Sequence, residues 1–444
     1  MKKSILVLGA GRSSAVLIAY LAQACKEYQW RFTVGDFSLK AAMKMTEVLT
    51  EVSAIQFDIQ NKTESSKAIR ESDIVVSLLP AHLHHLVAEL CLEFGKHLIT
   101  ASYVSDEMKA YHTKAQEKNL LFLNECGLDP GIDHMSAMQL IDRIKKEGGK
   151  IISFESFTGG LISPETDPSN PWRYKFTWNS RNVVMAGQST AKYLENDEFK
   201  YIPYQQLFTR LTPVHVPGHG DYEGYANRDS LKYISAYGLD SVKTMLRGTL
   251  RNKGFCSAWN VLVQLGCCDD TFEMEHLGNM THADFMRSFL PGSKNQSLKN
   301  LIDTQTGLRE NSREIEMIEW VGLFSDEPIG LEKGTPAQVL EHILNKKWKL
   351  SPGDKDQIVM WHRFVFLTNG NQKEIQATLI ATGDDAIRTA MAKTVGLPLG
   401  MAAKYLALGK IGSRGVVIPI APEFYDPILK ELATLGIELK ERVI

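Results

Sequence analysis

The sequence predicts an α/β protein in which a doubly wound parallel sheet precedes a mixed α+β domain that carries a small helical unit. Over residues 1–128, short apolar runs alternate with amphipathic stretches, which is the rhythm of βαβ units with right-handed crossovers. A glycine pair, Gly9 and Gly11, ends the first apolar run and opens the first amphipathic stretch. Farther along, two alternating runs flank Asn369 and Gly370, the pattern of a tight hairpin turn, so an antiparallel sheet is expected there.

The first part of the chain supplies the parallel sheet. The predicted strands are SILVLGAG, RFTVGD, AIQFDI, DIVVSLLP, HLITASY and LLFLNECG, and the helices between them include SSAVLIAYLAQACKEY and AHLHHLVAELCLEFG. A helical stretch that begins near residue 385 is expected to return the chain to this sheet. We therefore assign residues 1–128 and 390–444 to a Rossmann dinucleotide-binding domain, and 129–389 to a substrate-binding domain with a helical insertion around 270–350.

Composition and charge exclude several classes of protein. A net charge of −2 provides no basic field for nucleic acid or an anionic membrane, and no apolar stretch approaches membrane-spanning length. The six cysteines are scattered without a CxxC pair, as expected for reduced thiols, so we expect a cytoplasmic protein. His82 and His85 would share a helical face, but no acid or cysteine lies at ligand spacing, which favours a surface cluster over a metal site.

The glycine pair predicts a dinucleotide site. Gly9 permits a tight turn, Gly11 lets a pyrophosphate approach the backbone, and Ser14 stands where a third glycine would be. The helix that follows offers unpaired N–H groups and a positive dipole end to the phosphates. Glycines end many strands, but this pair lies at the strand–helix junction of a βαβ run, which favours a nucleotide site over a plain turn.

Asp36 predicts which nucleotide is bound. A carboxylate at the end of the second strand accepts the ribose hydroxyls of NAD and repels the extra phosphate of NADP. No arginine follows it, since Phe37 is next, so we favour NAD while NADP remains possible. The alternative role for Asp36 or Ser38 is to cap the next helix. The stretches SLLPAHLH and TASYVS stand at the carboxyl ends of later strands, where an open α/β sheet binds its ligand.

Arginines in the second half indicate a carboxylate-binding site. Arg228, Arg247 and Arg251 lie outside any charge run and have tyrosines nearby. Arginine holds carboxylates with two parallel hydrogen bonds and stays charged at any working pH. Several such groups fit a substrate with multiple carboxylates. The alternative is an ordinary set of surface ion pairs.

Asp129 has two compatible interpretations. With Pro130 at the first helical position, Asp129 is predicted to be the N-cap of the helix GIDHMSAMQLIDRIKKE. That helix also starts at a strand end beside the predicted nucleotide site. A carboxylate there is well placed to orient a substrate amine.

Several of these stretches together resemble one family. LNECGLDPGIDHM, ITASYVS, VVSLLPAHLH, GYANRDSLKY, RGTLRNKGF, WVGLFSDEPI and AMAKTVGLPLGMAAKYLALGKIGSRGV are similar to the saccharopine dehydrogenases of the glutamate-forming type, also called saccharopine reductases. The resemblance spans nearly the whole chain and is strongest for the dehydrogenase half of the bifunctional lysine-degrading enzymes. It implies a homodimer, and it implies that the second domain also serves dimerisation.

The resemblance also implies functional residues. With the residues predicted above, the cofactor set is Gly9, Ala10, Gly11, Arg12, Ser13, Asp36, Asp58, Ile59, Leu79, Ala101, Ser102, Leu128, Asp129, Pro130 and Asn179. The implied saccharopine set is Ser102, Tyr103, Asp129, Arg228, Thr249, Leu250 and Arg251. Two positions depart from the family pattern: Thr158 replaces a cysteine, and Asn179 replaces a serine.

The implied reaction is oxidation of the secondary amine of saccharopine, a tricarboxylate, by hydride transfer to NAD, followed by hydrolysis to glutamate and 2-aminoadipate 6-semialdehyde. Asp129 and Tyr103 are the candidates for positioning and proton transfer, and Arg228 and Arg251 for holding carboxylates. Two alternatives are a dehydrogenase acting on another amino-acid amine, such as lysine or a carboxylated polyamine, and a regulator that senses NAD without turnover.

Overall fold

The computed structural model describes residues 2–11, 13–187, 190–293 and 295–444. The chain forms two compact units. The first comprises the described residues up to Lys150 together with Leu379–Lys440, and the second comprises Ile151–Thr378 with Glu441–Ile444. The assignment of residues 1–128 and 390–444 to one functional domain, and of 129–389 to another, stays a prediction.

The first 150 residues alternate strands with helices. In chain order these are β1 (Ser4–Leu8), α1 (Ala15–Glu27), β2 (Arg31–Asp36), α2 (Leu39–Thr46), β3 (Val52–Gln56), α3 (Lys62–Arg70), β4 (Ile74–Ser77), α4 (His84–Phe94), β5 (His97–Thr100), α5 (Asp106–Ala110), α6 (His112–Glu117), β6 (Leu121–Leu123) and α7 (Ile132–Lys146). β1, β4 and β6 are buried along their whole length, as expected for the centre of a parallel sheet covered on both faces.

The middle of the chain has longer strands and short helices. These are β7 (Lys150–Ile162), α8 (Ser180–Val184), β8 (Ala191–Glu195), β9 (Glu198–Ile202), β10 (Leu211–Val216), β11 (Gly220–Ala226), α9 (Lys232–Ala236), β12 (Thr244–Asn252), α10 (Phe255–Leu265), α11 (His282–Arg287), α12 (Leu298–Thr306), α13 (Arg313–Trp320), α14 (Pro336–Trp348), β13 (Asp356–Thr368) and β14 (Asn371–Thr382). The chain then ends with α15 (Ala390–Ala407), β15 (Gly415–Val417), α16 (Pro422–Thr434) and β16 (Leu439–Val443).

The sheet of the first unit has the order β15-β6-β5-β4-β1-β2-β3, and its strand pairs run parallel. The chain order reverses between β1 and β4, and ligands of such sheets bind beyond the carboxyl ends of the strands at this point. β15 extends the sheet next to β6, so the C-terminal segment belongs to this sheet. The predicted doubly wound fold is confirmed.

α15 packs closely on α1, and two glycines make this possible. A Cβ atom on Gly396 would lie 2.9 Å from the backbone nitrogen of Leu17, and one on Gly400 would lie 2.6 Å from the ring of Tyr20. Any larger residue would push α15 away from α1. Because the N-terminus of α1 is the predicted phosphate site, this contact helps to position that site.

The sheet of the second unit is mixed. Its order is β10-β11-β12-β7-β13-β14-β16, with β12 parallel to β7 and antiparallel to β11. The predicted hairpin is confirmed: Asn369 and Gly370 join β13 to β14 with φ values of 50° and 78°, the left-handed geometry of a primed turn. The helices α11 to α14 lie within the region expected to be helical.

One predicted boundary is wrong. Asp129 is not the N-cap of the helix, because α7 begins at Ile132 after Gly131. The backbone N–H of Gly131 donates to the Asp133 carboxylate at 2.6 Å, so a later acid takes part in the helix start. Gly131 has a φ of 148°, and a Cβ atom there would overlap Gly127, so only glycine fits this turn.

In the described ranges, the helices lack the length and apolar character that would be needed to cross a bilayer.

Candidate active site

The loop after β1 fits a dinucleotide phosphate. Gly9 has a φ of 105°, and a Cβ atom there would lie 3.1 Å from the carbonyl oxygen of Leu78 at the end of the neighbouring strand. The Ser14 hydroxyl donates to the Gly11 carbonyl at 2.7 Å and does not cap α1. The N–H groups of the first turn of α1 are therefore left for a ligand anion. Arg12 lies outside the described residues.

Asp36 ties the end of β2 to this loop. Its Oδ2 accepts the backbone N–H of Ala10 at 2.7 Å, and its Oδ1 accepts the N–H of Ser38 at 2.9 Å. Ser38, and not Asp36, is the N-cap of α2, since its hydroxyl accepts the N–H of Ala41. The ring of Phe37 beside it is 70% exposed. A fixed carboxylate next to an open apolar ring is an arrangement suited to an adenosine ribose.

His84 joins the ends of β4 and β5. Its Nδ1 lies 3.0 Å from Ser77 Oγ, and its Nε2 lies 2.9 Å from Ser102 Oγ and 3.1 Å from Thr100 Oγ1. Burial and, to a smaller extent, the charge of the neighbouring His82 together lower the pKa of His84 to about 4, so the ring is neutral at physiological pH. His84 was not predicted as a site residue, although the sequence HLHH contains it.

The other predicted site residues of the first unit lie along the same strand ends. Asp58 accepts the N–H of Gln60 at 2.9 Å in the turn after β3. Leu79, Ala101, Ser102, Tyr103 and Asp129 are half-buried, and Ile59, Leu128 and Pro130 are buried. Ser13 is half-buried in the turn before α1.

Glu125 holds the loop that carries Ser102 and Tyr103. Its backbone N–H donates to the Ser102 carbonyl at 3.0 Å, and its Oε1 accepts the Val104 N–H at 3.1 Å. The two bonds fix the backbone on both sides of Tyr103. Glu125 itself has a φ of 55°, an uncommon conformation for a residue with a side chain.

A buried contact with His134 supports Glu125. Its Oε2 lies 2.8 Å from His134 Nε2, and the two side chains are 2% and 0% exposed. On the other side, His134 Nδ1 lies 3.7 Å from the Asp133 carboxylate, which also accepts the Gly131 N–H. The cluster Asp133–His134–Glu125 thus connects the turn of Asp129 to the loop of Tyr103.

In the second unit, β12 presents arginines on one face of the sheet. Arg247, Thr249 and Arg251 alternate along the strand, and neighbouring side chains of one face repeat every second residue. Arg251 lies four positions after Arg247 along the strand, which places their Cα atoms about 13 Å apart. Arg247 stacks on the ring of Tyr233, with its guanidinium carbon 4.3 Å from the ring centre.

Arg251 is a buried cation among aromatic rings. It is 5% exposed, and its guanidinium carbon lies 5.0 Å from the ring centre of Tyr174 and 5.2 Å from that of Phe255. Nη1 donates to the Leu250 carbonyl at 3.0 Å, but Nε has no hydrogen-bond partner among the described residues. In the described part of the chain, no carboxylate lies within ion-pair distance of it. The facing residue of β11, Glu223, directs its carboxylate to the N–H groups of Gly254 and Cys256 instead.

Two buried hydroxyls close to this strand also have no partner among the described residues. Thr158, on the adjacent strand β7, faces Thr249 of β12, and the Thr158 hydroxyl has no hydrogen-bond partner among the described residues. The hydroxyl of Tyr174, whose ring contacts Arg251, is likewise unbonded. Burial raises the pKa of Tyr174 to about 12, so this hydroxyl keeps its proton. Buried polar groups in folded proteins are normally satisfied, so these atoms are available to a ligand or to a water molecule.

The remaining predicted residues of the second unit have different surroundings. Arg228 is exposed and follows β11 with a φ of 50°, and Leu250 is buried in β12. Asn179 is the N-cap of α8, where its side-chain oxygen accepts the Asn182 N–H at 3.1 Å. Tyr174 was missed in the sequence, because no local pattern shows that its ring contacts an arginine far along the chain.

Two family models cover the chain. One, described as the saccharopine dehydrogenase C-terminal domain, matches residues 127–437, and the other, described as the saccharopine dehydrogenase NADP binding domain, matches residues 5–123. The chain belongs to the saccharopine dehydrogenase family. The resemblance seen in the sequence is confirmed.

Relatives in the saccharopine dehydrogenase family differ in length. A protein of Schizosaccharomyces pombe named saccharopine dehydrogenase (NADP(+), L-glutamate-forming) is 32% identical, and the match covers 99% of each chain. The rat protein named alpha-aminoadipic semialdehyde synthase, mitochondrial, is 34% identical over 98% of this chain but only 47% of its own, so this chain spans about half its length. The apo structure of saccharopine dehydrogenase (L-Glu forming) from Saccharomyces cerevisiae matches with a TM-score of 0.90 and 30% identity over both whole chains.

Proposed function

We propose that this protein is a saccharopine dehydrogenase, which cleaves saccharopine oxidatively to L-glutamate and 2-aminoadipate 6-semialdehyde with NAD or NADP as acceptor. The family membership and the names of the yeast relatives support this assignment. The observation that carries the substrate is Arg251, a buried guanidinium without a carboxylate partner within ion-pair distance in the described residues. A buried charge is costly unless it is paired, and a substrate carboxylate supplies the missing partner.

The spacing on β12 supports a substrate with several carboxylates. Saccharopine carries two carboxylates on its glutamate half and one on its lysine half. Arg247 and Arg251 are about 13 Å apart at their Cα atoms, and their side chains point to the same face of the sheet. Arg251 then binds one carboxylate, with Thr249 beside it, and Arg228 is a further candidate. Lysine or a polyamine with fewer carboxylates would use fewer of these groups.

The first unit supplies the nucleotide site. Gly9, Gly11 and the free first turn of α1 would hold the pyrophosphate, Asp36 would accept the ribose hydroxyls, and Leu79 and Ala101 would contact the nicotinamide. When bound, the nicotinamide accepts the hydride. The exposed Phe37 and the absence of an arginine directly after Asp36 favour NAD over NADP, although the fission yeast relative is named for NADP.

The proposed reaction requires the removal of one proton from the amine and the addition of one water molecule. The secondary amine has to be neutral to release a hydride from the adjacent carbon, so Asp129 or Tyr103 accepts its proton, directly or through water. The resulting carbon–nitrogen double bond adds water. The carbinolamine then breaks its carbon–nitrogen bond, and glutamate leaves with the nitrogen while the other product keeps an aldehyde. The Glu125 cluster holds both candidate residues in place.

One assay tests this proposal. The pure protein is incubated with saccharopine and either NAD or NADP, and the absorbance of the reduced nucleotide is followed. Turnover with saccharopine, faster with NAD, is expected. Turnover with lysine or a carboxylated polyamine instead would assign a different amine substrate, and binding of NADH without any turnover would indicate a regulator.

We further propose that the enzyme is a cytoplasmic homodimer. The dimer rests on the family resemblance, and the compartment is supported by the six cysteines, which are all buried and are not joined in disulfides in the described structure. Light scattering of the pure protein would measure the mass, which is twice 49.7 kDa for a dimer. Cell fractionation with an antibody would test the compartment.

A further inference from the structure

We propose that His84 is a positioning residue of the active site. It holds the Ser102 hydroxyl in position to hydrogen-bond with a bound ligand, either the substrate amine or the nicotinamide carboxamide. This inference rests on the proposed function for the identity of those ligands. The contact between His84 and Ser102 itself rests only on the geometry of the strand ends.

Thr100 binds the ring of His84 on the side of Ser102. Thr100 is buried, and its Oγ1 accepts the backbone N–H of Ser102 at 3.3 Å. The same Oγ1 lies 3.1 Å from His84 Nε2. Thr100 therefore connects the ring of His84 to the backbone of Ser102.

The other ring nitrogen is also bound. His84 Nδ1 lies 3.0 Å from the hydroxyl of Ser77, which is fully buried at the end of β4. The ring is thus bound on both sides and cannot rotate without losing these bonds. Burial keeps it neutral at physiological pH.

Ser102 is held by the same ring nitrogen. Its Oγ lies 2.9 Å from His84 Nε2, so the ring fixes the position of the hydroxyl. Ser102 is half-buried, so a ligand can reach it. The hydroxyl can donate a hydrogen bond to that ligand or accept one from it.

Two substitutions separate the ring nitrogens. In His84→Gln the side-chain amide reproduces the position of Nε2, and in His84→Asn it reproduces that of Nδ1, since the bonds from Cα are equal in number. We expect kcat/KM to fall about tenfold in the asparagine variant, and less than about threefold in the glutamine variant. Equal losses in both would overturn the inference, because a purely structural ring has no reason to prefer Nε2.

The double variant tests whether His84 acts through Ser102. Ser102→Ala is expected to lower kcat/KM about tenfold, and adding His84→Asn to it should lower kcat/KM no further. Losses that multiply would overturn the inference. Comparing KM for saccharopine with the Kd for NADH then identifies the ligand: a raised KM alone indicates the substrate amine, and a raised Kd indicates the carboxamide.

A second readout does not need turnover. In nitrogen NMR of the imidazole, Ser102→Ala should shift the Nε2 resonance of His84. An Nε2 signal unchanged by Ser102→Ala would overturn the inference in any case. Absence of saccharopine turnover in the wild-type protein, with the NMR shift present, would refute the proposed function while leaving the contact established.

Discussion

The polar groups at the strand ends of the first unit and those on the face of β12 in the second unit differ in their hydrogen bonding. In the first unit, Asp36, His84 and Glu125 are each hydrogen-bonded to groups of the same unit. In the second, Arg251 Nε and the hydroxyl of Tyr174 are buried without partners among the described residues. With the function proposed above, the nucleotide-binding residues of the first unit would be organised before a ligand arrives, whereas the carboxylate-binding face of β12, the carboxylate side, would be completed by its ligand. Preorganisation reduces the cost of binding, and unpaired buried groups increase selectivity for the ligand that satisfies them.

The largest effect on stability is expected from replacing Glu125, in the preorganised strand ends of the first unit. Glu125→Ala removes the acceptor for the Val104 N–H and leaves His134 without this carboxylate, which should lower the free energy of unfolding by about 3–5 kcal/mol. Glu125→Gln keeps an acceptor and should lose less. Urea denaturation measures both values, and equal stability of the two variants would contradict the assigned role.

The pH dependence of stability provides a second test of the strand ends of the first unit. The pKa of His84 is lowered to about 4 in the folded protein, below its value of about 6.5 in the unfolded chain, so the unfolded chain binds more protons between these pH values. Stability should therefore fall as pH drops from about 6.5 to 4, by up to about 3 kcal/mol from this group. His84→Gln should remove that part of the dependence, measured by denaturation at several pH values.

The carboxylate side is tested at Arg251. Arg251→Met removes a cation that has no acid partner among the described residues, so KM for saccharopine should rise about 100-fold while NADH binding is retained. Without substrate, the same variant should unfold at an equal or higher temperature, because a buried unpaired charge is lost. The control is Arg210→Met, an exposed arginine of the same unit. A clear loss of stability in Arg251→Met would show that this guanidinium is already satisfied.

The smallest effect concerns nucleotide choice. Asp36→Ala should reduce the preference for NAD over NADP by about tenfold, since the carboxylate that repels the second phosphate is removed. The ratio of kcat/KM for the two nucleotides measures it. Some loss with both nucleotides is also expected, because Asp36 holds the Ala10 N–H. An unchanged ratio would mean that another residue selects the nucleotide.

Local patterns predicted much of this fold. The alternation of apolar runs predicts the parallel sheet, and the Asn369-Gly370 pair predicts the hairpin, because both depend on neighbours in sequence. The predicted start of α7 was wrong. Both a proline and a later acid suggest a helix start in this stretch, and in the structure the Asp133 carboxylate accepts the Gly131 N–H in the turn before Ile132. Where several residues could cap a helix, the sequence alone does not determine at which residue the helix begins.

The site was predicted less completely than the fold. His84 was missed because its partners Thr100 and Ser102 come from another strand end, and parallel strands meet only after folding. Arg251 was predicted as a carboxylate ligand, but its lack of an acid partner in the described residues could not be foreseen. That property depends on Glu223 directing its carboxylate elsewhere.

The close contact of α15 with α1 has a consequence for biosynthesis. Residues Leu379–Lys440 leave the ribosome after Ile151–Thr378, which form most of the second unit, yet they complete the first unit. The nucleotide-binding half must therefore wait in an unfinished state, with the α1 surface around Leu17 uncovered, while the later half can fold during translation. A premature stop codon near the C-terminus would consequently harm the part of the protein that was synthesised first.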